Sequence, residues 1–225
     1  MCVYQPNDKM YTYQYSHPAL TADCVIFGFE HHQLYVLLIE RGIDPFKGSW
    51  ALPGGFIHED ETIEQCAWRE LKEETNLTPS YLEQIRVFSR TDRDPRERVV
   101  TVAFLALVRT SEVRGGDDAA RAQWFPVDSL PELAFDHQEI IDFAMANLAK
   151  RLKYEPVSQY LMNEQFTLPE LQNLYETVLK VKLDRRNFQK KMISSNQIKQ
   201  INKRDSDTPT RYPNTFVFNN NPNDE

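Results

Sequence analysis

The sequence predicts an α+β domain followed by a smaller, basic module, and three observations support this. Strand-forming runs enclose one strong helical segment within residues 1–152, and a second helix closes that region. After a boundary at Tyr154-Glu155-Pro156, the pattern changes to two capped helices and two short strands. The chain has 225 residues, about one and a half typical domains, so one full domain and a smaller companion are expected.

The strands of the first domain are predicted from apolar and β-branched runs. Residues 22–30 and 33–40 are two such runs, and the Glu30-His31-His32 segment between them predicts a hairpin. Further strands are predicted over residues 85–90, 99–109 and 123–127.

Two helices complete the first domain. The first is predicted over residues 63–75, because Thr62 is a good N-cap and Gln65, three residues later, completes a capping box. The second is predicted from about His137 to Arg151.

The second module is predicted over residues 153–218. Thr167 and Glu170 form a capping box for a helix that continues to residue 179, and Asp184 caps a second helix over residues 185–192. Strands at 198–201 and 215–218 flank a loop at 203–209, and residues 219–225 are expected to be a disordered tail.

Composition excludes several classes of protein. No run approaches the ~18 apolar residues of a membrane span, and the polar start lacks the apolar centre of a signal peptide, so a cytoplasmic protein is expected. The 3 cysteines show no C-x-x-C spacing, which argues against a disulfide framework or a cysteine-rich zinc site. The 5 histidines show no metal-ligand spacing and are interpreted as structural.

The net charge of −7 hides an asymmetry along the chain. Residues 1–150 hold 14 Lys+Arg against 24 Asp+Glu (−10), whereas residues 151–225 hold 12 against 9 (+3). Within the second part, residues 180–211 hold 10 bases and 3 acids (+7). This pattern is typical of a module that binds a polyanion, although a solvated basic face explains the charge equally well.

The most informative segment is an acidic helix. At about 100° per residue, Glu70 and Glu74 fall on the same face as Ala67, whereas Trp68 and Lys72 point the opposite way. Inward carboxylates one turn apart repel each other and lose solvation, so a cation is expected among them. Mg²⁺, a hard ion that binds carboxylate oxygens and phosphates, is the natural candidate. The alternative, a solvated acidic helix with Glu/Lys/Arg pairs, is disfavoured by the inward phase.

This segment resembles the Nudix box, G-x5-E-x7-R-E-U-x-E-E-x-G-U, where U is aliphatic. The matching positions are Gly55, Glu61, Arg69, Glu70, Leu71, Glu73, Glu74 and Leu77. Only Asn76 departs, where the family has a glycine in a left-handed helix cap, and asparagine tolerates that conformation. The resemblance implies a Nudix α/β/α sandwich in which Glu70, Glu73 and Glu74 bind magnesium. It further implies that Arg69 orients a glutamate, that Glu61 supports the loop and metal site, and that Gly55 lies against the ligand.

An arginine-rich segment follows at residues 92–100. Its guanidinium groups, on Arg93, Arg96 and Arg98, are predicted to bind a diphosphate, and similar segments occur in Nudix proteins that act on ADP-ribose. The alternative is a charged hairpin loop in which the arginines pair with neighbouring aspartates.

The order of elements in the basic module is that of a winged helix-turn-helix. In this interpretation the second helix enters the major groove of DNA, where Arg185, Arg186 and Asn187 contact base edges. Phosphate contacts are predicted for Lys190 and Lys191. The hairpin wing is predicted to bring four further basic residues to the DNA backbone or the minor groove: Lys199, Lys203, Arg204 and Arg211. The alternative is a small helical module that binds protein.

A Nudix domain followed by a winged helix resembles the Nudix-related transcriptional regulators. The resemblance implies a homodimer that senses ADP-ribose or a sugar and repositions two DNA-binding modules. The rival hypothesis is a magnesium-dependent Nudix pyrophosphatase, of the type that cleaves ADP-ribose, with a C-terminal module for dimerisation or protein contacts. The retained glutamates leave hydrolysis open.

Overall fold

The computed structural model describes residues 14–109, 122–201 and 214–219. The loop predicted at residues 203–209, with Lys203 and Arg204, lies outside these ranges, as do Arg211 and the predicted tail from residue 220 onward. Within the described part of the chain, no helix is both long and apolar enough to cross a membrane.

The first part of the chain forms a seven-stranded sheet and two helices. The strands are β1 (Ala19–Glu30), β2 (Gln33–Glu40), β3 (Trp50–Ala51), β4 (Gly54–Phe56), β5 (Tyr81–Phe88), β6 (Val99–Val108) and β7 (Ala122–Pro126). The helices are α1 (Ile63–Thr75) and α2 (His137–Tyr154). The strand order is β3-β2-β1-β6-β5, with β4 paired to β1 and β7 paired to β2.

Strands β1 and β6 pair in parallel at the centre of this sheet, and all the other pairs are antiparallel. Their alternate side chains enter two separate cores, as the pleat of a strand requires. Cys24 and Ile26 pack beneath α1, whereas Val25 and Phe27 pack on the side of α2. The sheet therefore lies between two helical layers, and the predicted α/β/α sandwich is confirmed.

The C-terminal part contains two helices and a small sheet. A short 3-10 turn (Val157–Tyr160) leads to β8 (Phe166–Thr167), α3 (Leu168–Leu179), α4 (Arg185–Ser194), β9 (Ile198–Gln200) and β10 (Thr215–Phe218). Strands β8, β10 and β9 form an antiparallel sheet in that order. The predicted winged helix-turn-helix is confirmed by this arrangement.

One hydrophobic core joins the two parts. Val25 and Ile140 from the first part belong to the same cluster of buried side chains as Leu171, Val178 and Phe188 from the second. The predicted division at residue 152/153 stays a prediction, since α2 runs on to Tyr154 and the core includes side chains from both sides.

The structure departs from the predicted elements where a strand is short or partly polar. Strands β3, β4 and β8 were not predicted, because two or three residues show no periodic pattern. Strand β5 begins at Tyr81, four residues before the predicted start, because Glu83 and Gln84 interrupt the apolar run.

Candidate functional site

Helix α1 begins with the predicted capping box. The Thr62 hydroxyl accepts a hydrogen bond from the Gln65 N–H, and the Gln65 side chain accepts one from the Thr62 N–H. At the other end Asn76 adopts the left-handed conformation, with φ 55°. Asparagine thus takes the conformation for which the Nudix family uses glycine.

Arg69 ties the loop before α1 to the helix. Its guanidinium forms a two-pronged ion pair with Glu61, with Nε–Oε2 at 3.0 Å and Nη2–Oε1 at 2.6 Å. It also donates to Glu70 Oε1 at 2.5 Å and to the Phe56 carbonyl at 3.1 Å. Glu73, one turn away, is a more distant partner at 3.6 Å. The bonds from Arg69 lower the pKa of Glu61 to about 2 and keep it ionised.

The helix presents its acidic side chains as its periodicity predicts. Glu70 and Glu74 face the sheet, whereas Trp68 and Lys72 are exposed. Burial raises the pKa of Glu74 to about 8, although its Oε2 accepts a hydrogen bond of 2.9 Å from the Gly54 N–H. Burial also raises the pKa of Glu70. For both carboxylates the loss of solvation outweighs the positive charge nearby, which is Arg69 for Glu70 and Arg41 for Glu74.

Strand β4 passes close to these carboxylates because it contains two glycines. A Cβ on Gly55 would lie 2.2 Å from Glu70 Oε1, and one on Gly54 would lie 2.2 Å from the Ala22 carbonyl. A side chain at Gly55, which the Nudix resemblance places against the ligand, would displace the Glu70 carboxylate, whereas one at Gly54 would collide with the backbone of β1.

The acidic helix fits a hard divalent cation chemically. Glu70, Glu73 and Glu74 lie within five residues of one helix, and burial disfavours the charge of the two inward carboxylates, Glu70 and Glu74. Within residues 14–109, 122–201 and 214–219, no three or more His, Cys, Asp or Glu side chains are arranged so that they could hold a metal ion together. The three glutamates are the residues that would hold such an ion.

Arg93 occupies a different place from the one predicted. Its side chain is 4% exposed and forms a fork with Asp136, with Nε–Oδ2 at 3.0 Å and Nη2–Oδ1 at 2.8 Å. Asp23 Oδ2 lies 3.3 Å from the same Nη2. The structure therefore gives Arg93 a role in joining β1 to the start of α2, rather than in facing a diphosphate, because two buried carboxylates already satisfy it.

The other two arginines of the segment differ in their availability. Arg98 donates to the carbonyls of Ser89 and Arg90, at 2.8 and 3.1 Å, and so closes its own loop. Arg96 forms a fork with Asp94, as the alternative interpretation of a charged loop expects, but its side chain stays 38% exposed. Arg96 and Arg98 are both exposed, and Arg96 is the one whose guanidinium pairs with a side chain rather than with backbone carbonyls.

A cluster of arginine and phenylalanine side chains, which the sequence analysis missed, surrounds Arg96. The Arg41 guanidinium lies 4.7 Å from the centre of the Phe135 ring, and Arg96 lies 5.6 Å from Phe56 and 5.9 Å from Phe135. Phe46 packs edge-on against Phe135 at 4.8 Å. We call these five residues the arginine–aromatic cluster.

The electrostatics of Arg41 connect the arginine–aromatic cluster to the acidic helix. Burial and the nearby charge of Arg96 lower the pKa of Arg41, and the charges of Asp94, Glu74 and Asp23 act in the opposite direction. Two guanidinium groups of like charge therefore lie beside the carboxylates of the site. An anionic ligand would relieve the repulsion between them.

His137 supports the same region from the first turn of α2. It is buried, and its Nδ1 accepts a hydrogen bond of 2.8 Å from the Leu52 N–H, while its Nε2 lies 3.9 Å from Asp23 Oδ1. Burial lowers the pKa of His137, so the ring is neutral near pH 7. This environment agrees with the structural interpretation of the histidines.

The second candidate surface is helix α4. Asp184 caps it by accepting a hydrogen bond of 2.9 Å from the Asn187 N–H, and Phe188 and Met192 bury one of its faces. The other predicted residues of this helix are all exposed: Arg185, Arg186, Asn187, Lys190 and Lys191. Lys199 on β9 is exposed as well. Those basic residues predicted for DNA that fall within the described ranges are therefore accessible to solvent.

Known protein families match both parts of the chain. The family model of the NUDIX domain matches residues 17–143, and that of the NrtR DNA-binding winged helix domain matches residues 158–218. The chain is 35% identical over 202 residues to the ADPR responsive transcriptional repressor NtrR of Acinetobacter baylyi, covering 88% of this chain and 78% of that protein. The chain belongs to the NrtR family of Nudix-related regulators.

Two further relatives extend this result. The structure of Shewanella oneidensis NrtR complexed with a 27mer DNA matches with a TM-score of 0.78 and 34% identity, over 89% of this chain and 93% of that chain. The ADP-ribose pyrophosphatase of Methanocaldococcus jannaschii is 45% identical over 127 residues, or 56% of this chain and 73% of that protein. The NrtR-type architecture thus spans nearly the whole chain, and the predicted class, a Nudix-containing transcriptional regulator with a DNA-binding winged helix, is confirmed.

Proposed function

We propose that this NrtR-family chain represses transcription by binding DNA through α4, and that ADP-ribose in its Nudix domain releases the DNA. The proposal depends on one observation: a single hydrophobic core connects the exposed basic helix α4 to the Nudix domain. A pyrophosphatase alone needs no such helix.

The arginine–aromatic cluster and the acidic helix together suit a nucleoside diphosphate. Arg96, with a planar fork of donors, fits phosphate oxygens, and Arg41 adds a second positive charge beside it. Phe46 and Phe56 are 42% and 40% exposed and offer apolar surface to a base or a ribose. ADP-ribose has these parts, and it is the ligand class that the names of two relatives print.

Mg²⁺ is the metal we propose for Glu70, Glu73 and Glu74. When bound to these glutamates, it would neutralise negative charge on the diphosphate. Arg69 would hold Glu70 in place through its 2.5 Å contact, while Glu61 fixes Arg69 from the other side.

Strand β2 is a direct connection between the ligand site and the DNA-binding module. Arg41 directly follows β2, and His32 directly precedes it. The His32 carbonyl accepts a hydrogen bond of 3.5 Å from the Thr177 hydroxyl of α3. Near the same end, Lys180 at the end of α3 forms an ion pair of 2.6 Å with Asp128. A ligand that shifts the Arg41 loop would act on α3 through this strand.

We propose that the working form is a homodimer, since two α4 helices would then contact two half-sites of a near-palindromic operator. The second candidate function is hydrolysis of ADP-ribose to AMP and ribose 5-phosphate. The observation that favours it is the complete set of acidic Nudix-box positions, together with the ordered Arg69–Glu61 pair.

One experiment distinguishes the two functions. The full chain is mixed with labelled DNA from the region upstream of its own gene, then titrated with ADP-ribose and Mg²⁺, while AMP release is followed in the same samples. We expect specific DNA binding that ADP-ribose weakens. AMP release without specific DNA binding would favour the enzyme and refute the regulator.

A further inference from the structure

Helix α4 depends on a short turn for its position. Helix α3 ends at Leu179, its C-cap Lys180 has a left-handed φ of 54°, and Asp184 already caps α4. Phe188 and Met192 hold α4 on the core, but these side chains lie one and two turns beyond its first residues. The direction of the N-terminal residues Arg185, Arg186 and Asn187 is therefore set by the residues before Asp184.

Two side chains of α3 hold the backbone of Leu183, the residue before that cap. Glu176 Oε1 accepts a hydrogen bond of 2.9 Å from the Leu183 N–H. Gln172 Nε2 donates a hydrogen bond of 2.9 Å to the Leu183 carbonyl, and a second of 2.9 Å to Glu176 Oε1. Both backbone polar groups of Leu183 are thus fixed by a pair one helical turn apart, which we call the Gln172–Glu176 clamp.

The environment of Glu176 indicates that the clamp acts on the turn and not on a ligand. Its side chain is 12% exposed, although it lies just before the basic segment of residues 180–211. Lys182 also contacts its Oε2 at 2.9 Å, but the Lys182 side chain is 91% exposed, so this ion pair contributes little. A carboxylate would repel DNA phosphates, which makes direct contact with DNA an unsuitable role for Glu176.

We propose that Gln172 and Glu176 are positioning residues for DNA recognition, which set the start and direction of α4 by clamping Leu183. This inference rests on the proposed function of α4 in binding DNA. Hydrogen bonds to base edges weaken steeply when their angles or lengths change, whereas phosphate contacts tolerate small shifts. Loss of the clamp should therefore reduce sequence preference more than general affinity for DNA.

The test compares the full chain with its Glu176→Ala, Glu176→Gln and Lys182→Met variants. Each protein is titrated against operator DNA and against unrelated DNA of the same length. We expect Glu176→Ala to weaken operator binding about tenfold while binding to unrelated DNA and the salt slope stay unchanged. Glu176→Gln keeps an acceptor for the Leu183 N–H and should stay within about threefold of wild type. Lys182→Met should leave the ratio of the two affinities unchanged.

Thermal unfolding and ADP-ribose binding separate positioning from loss of fold. If Glu176→Ala is unfolded, Gln172→Leu must show the same selective loss. This variant removes the hydrogen bonds to the Leu183 carbonyl and to Glu176 but leaves the bond from the Leu183 N–H to Glu176. Equal affinity of wild type and Glu176→Ala for the operator would overturn the inference, as would equal losses on both DNAs or a Glu176→Gln variant as weak as Glu176→Ala. If the wild-type protein binds operator DNA no more tightly than unrelated DNA, the proposed function itself is refuted, independently of the clamp.

Discussion

Replacing Arg93 by methionine should destabilise the protein rather than simply weaken ligand binding. Methionine has a similar length but no charge, so it would leave the carboxylates of Asp23 and Asp136 without their shared cation. The side chains of Arg93, Asp136 and Asp23 are only 4%, 2% and 10% exposed. Removing one partner of a buried ion pair costs about 3–5 kcal/mol. For a chain of this size the melting temperature should fall by roughly 6–20 °C.

Urea and thermal unfolding of the full chain measure this effect. Arg96→Met is the matched control, because the Arg96 side chain is 38% exposed and its ion pair should be worth no more than about 1 kcal/mol. Combining Asp136→Asn with Arg93→Met should recover part of the lost stability, because the double variant no longer buries the unpaired charge of Asp136. If Arg93→Met unfolds like wild type but loses ADP-ribose binding, Arg93 is a ligand residue and the structural role assigned to it is refuted.

Four further predictions follow from the described contacts. Glu74→Gln should lower Mg²⁺ affinity at least tenfold by calorimetry without unfolding the chain, and unchanged affinity would exclude Glu74 as a ligand. Arg96→Ala should cost roughly 1.5–3 kcal/mol of ADP-ribose affinity, only partly restored by lysine; full affinity in the alanine variant would place the diphosphate elsewhere. Asn187→Ala should cost ~1–3 kcal/mol of operator-binding free energy and relax the base preference at one operator position. Lys190→Ala should instead weaken binding to all DNA sequences and lower the salt slope by about one unit, and a selection from randomised DNA distinguishes the two outcomes. Burial lowers the pKa of His137 below its ordinary 6.5, so the unfolded chain binds more protons than the folded chain just below that pH. The free energy of unfolding should therefore decrease as the pH falls below 6.5, and His137→Gln should flatten this dependence. An unchanged slope in the variant would refute the assignment of the pH dependence to His137.

Local patterns made the acidic helix predictable. The spacing of Glu70, Glu74, Trp68 and Lys72 is set by the helical period alone, so the sequence indicates which of them face inward. The caps at Thr62 and Asn76 also depend on residues within one turn. The same reasoning predicted the capped helices of the C-terminal module, because Thr167 and Asp184 act on their own helices.

Contacts between distant residues were not predictable. Arg93 meets Asp136 and Asp23 across 43 and 70 residues of sequence, so nothing in its own segment distinguishes it from Arg96. The arginine–aromatic cluster was not predictable for the same reason, because Arg41 and Phe135 come from loops far apart in the chain. Which arginine is buried and which is available depends on the packing of the whole sheet.

The most direct test of the proposed function is the affinity of the full chain for its upstream DNA, measured by fluorescence anisotropy with and without saturating ADP-ribose. The account predicts that ADP-ribose raises the dissociation constant at least tenfold, and that Arg96→Ala, whose α4 is intact, binds the DNA normally but responds only at much higher ADP-ribose. A dissociation constant that saturating ADP-ribose leaves unchanged would contradict the account.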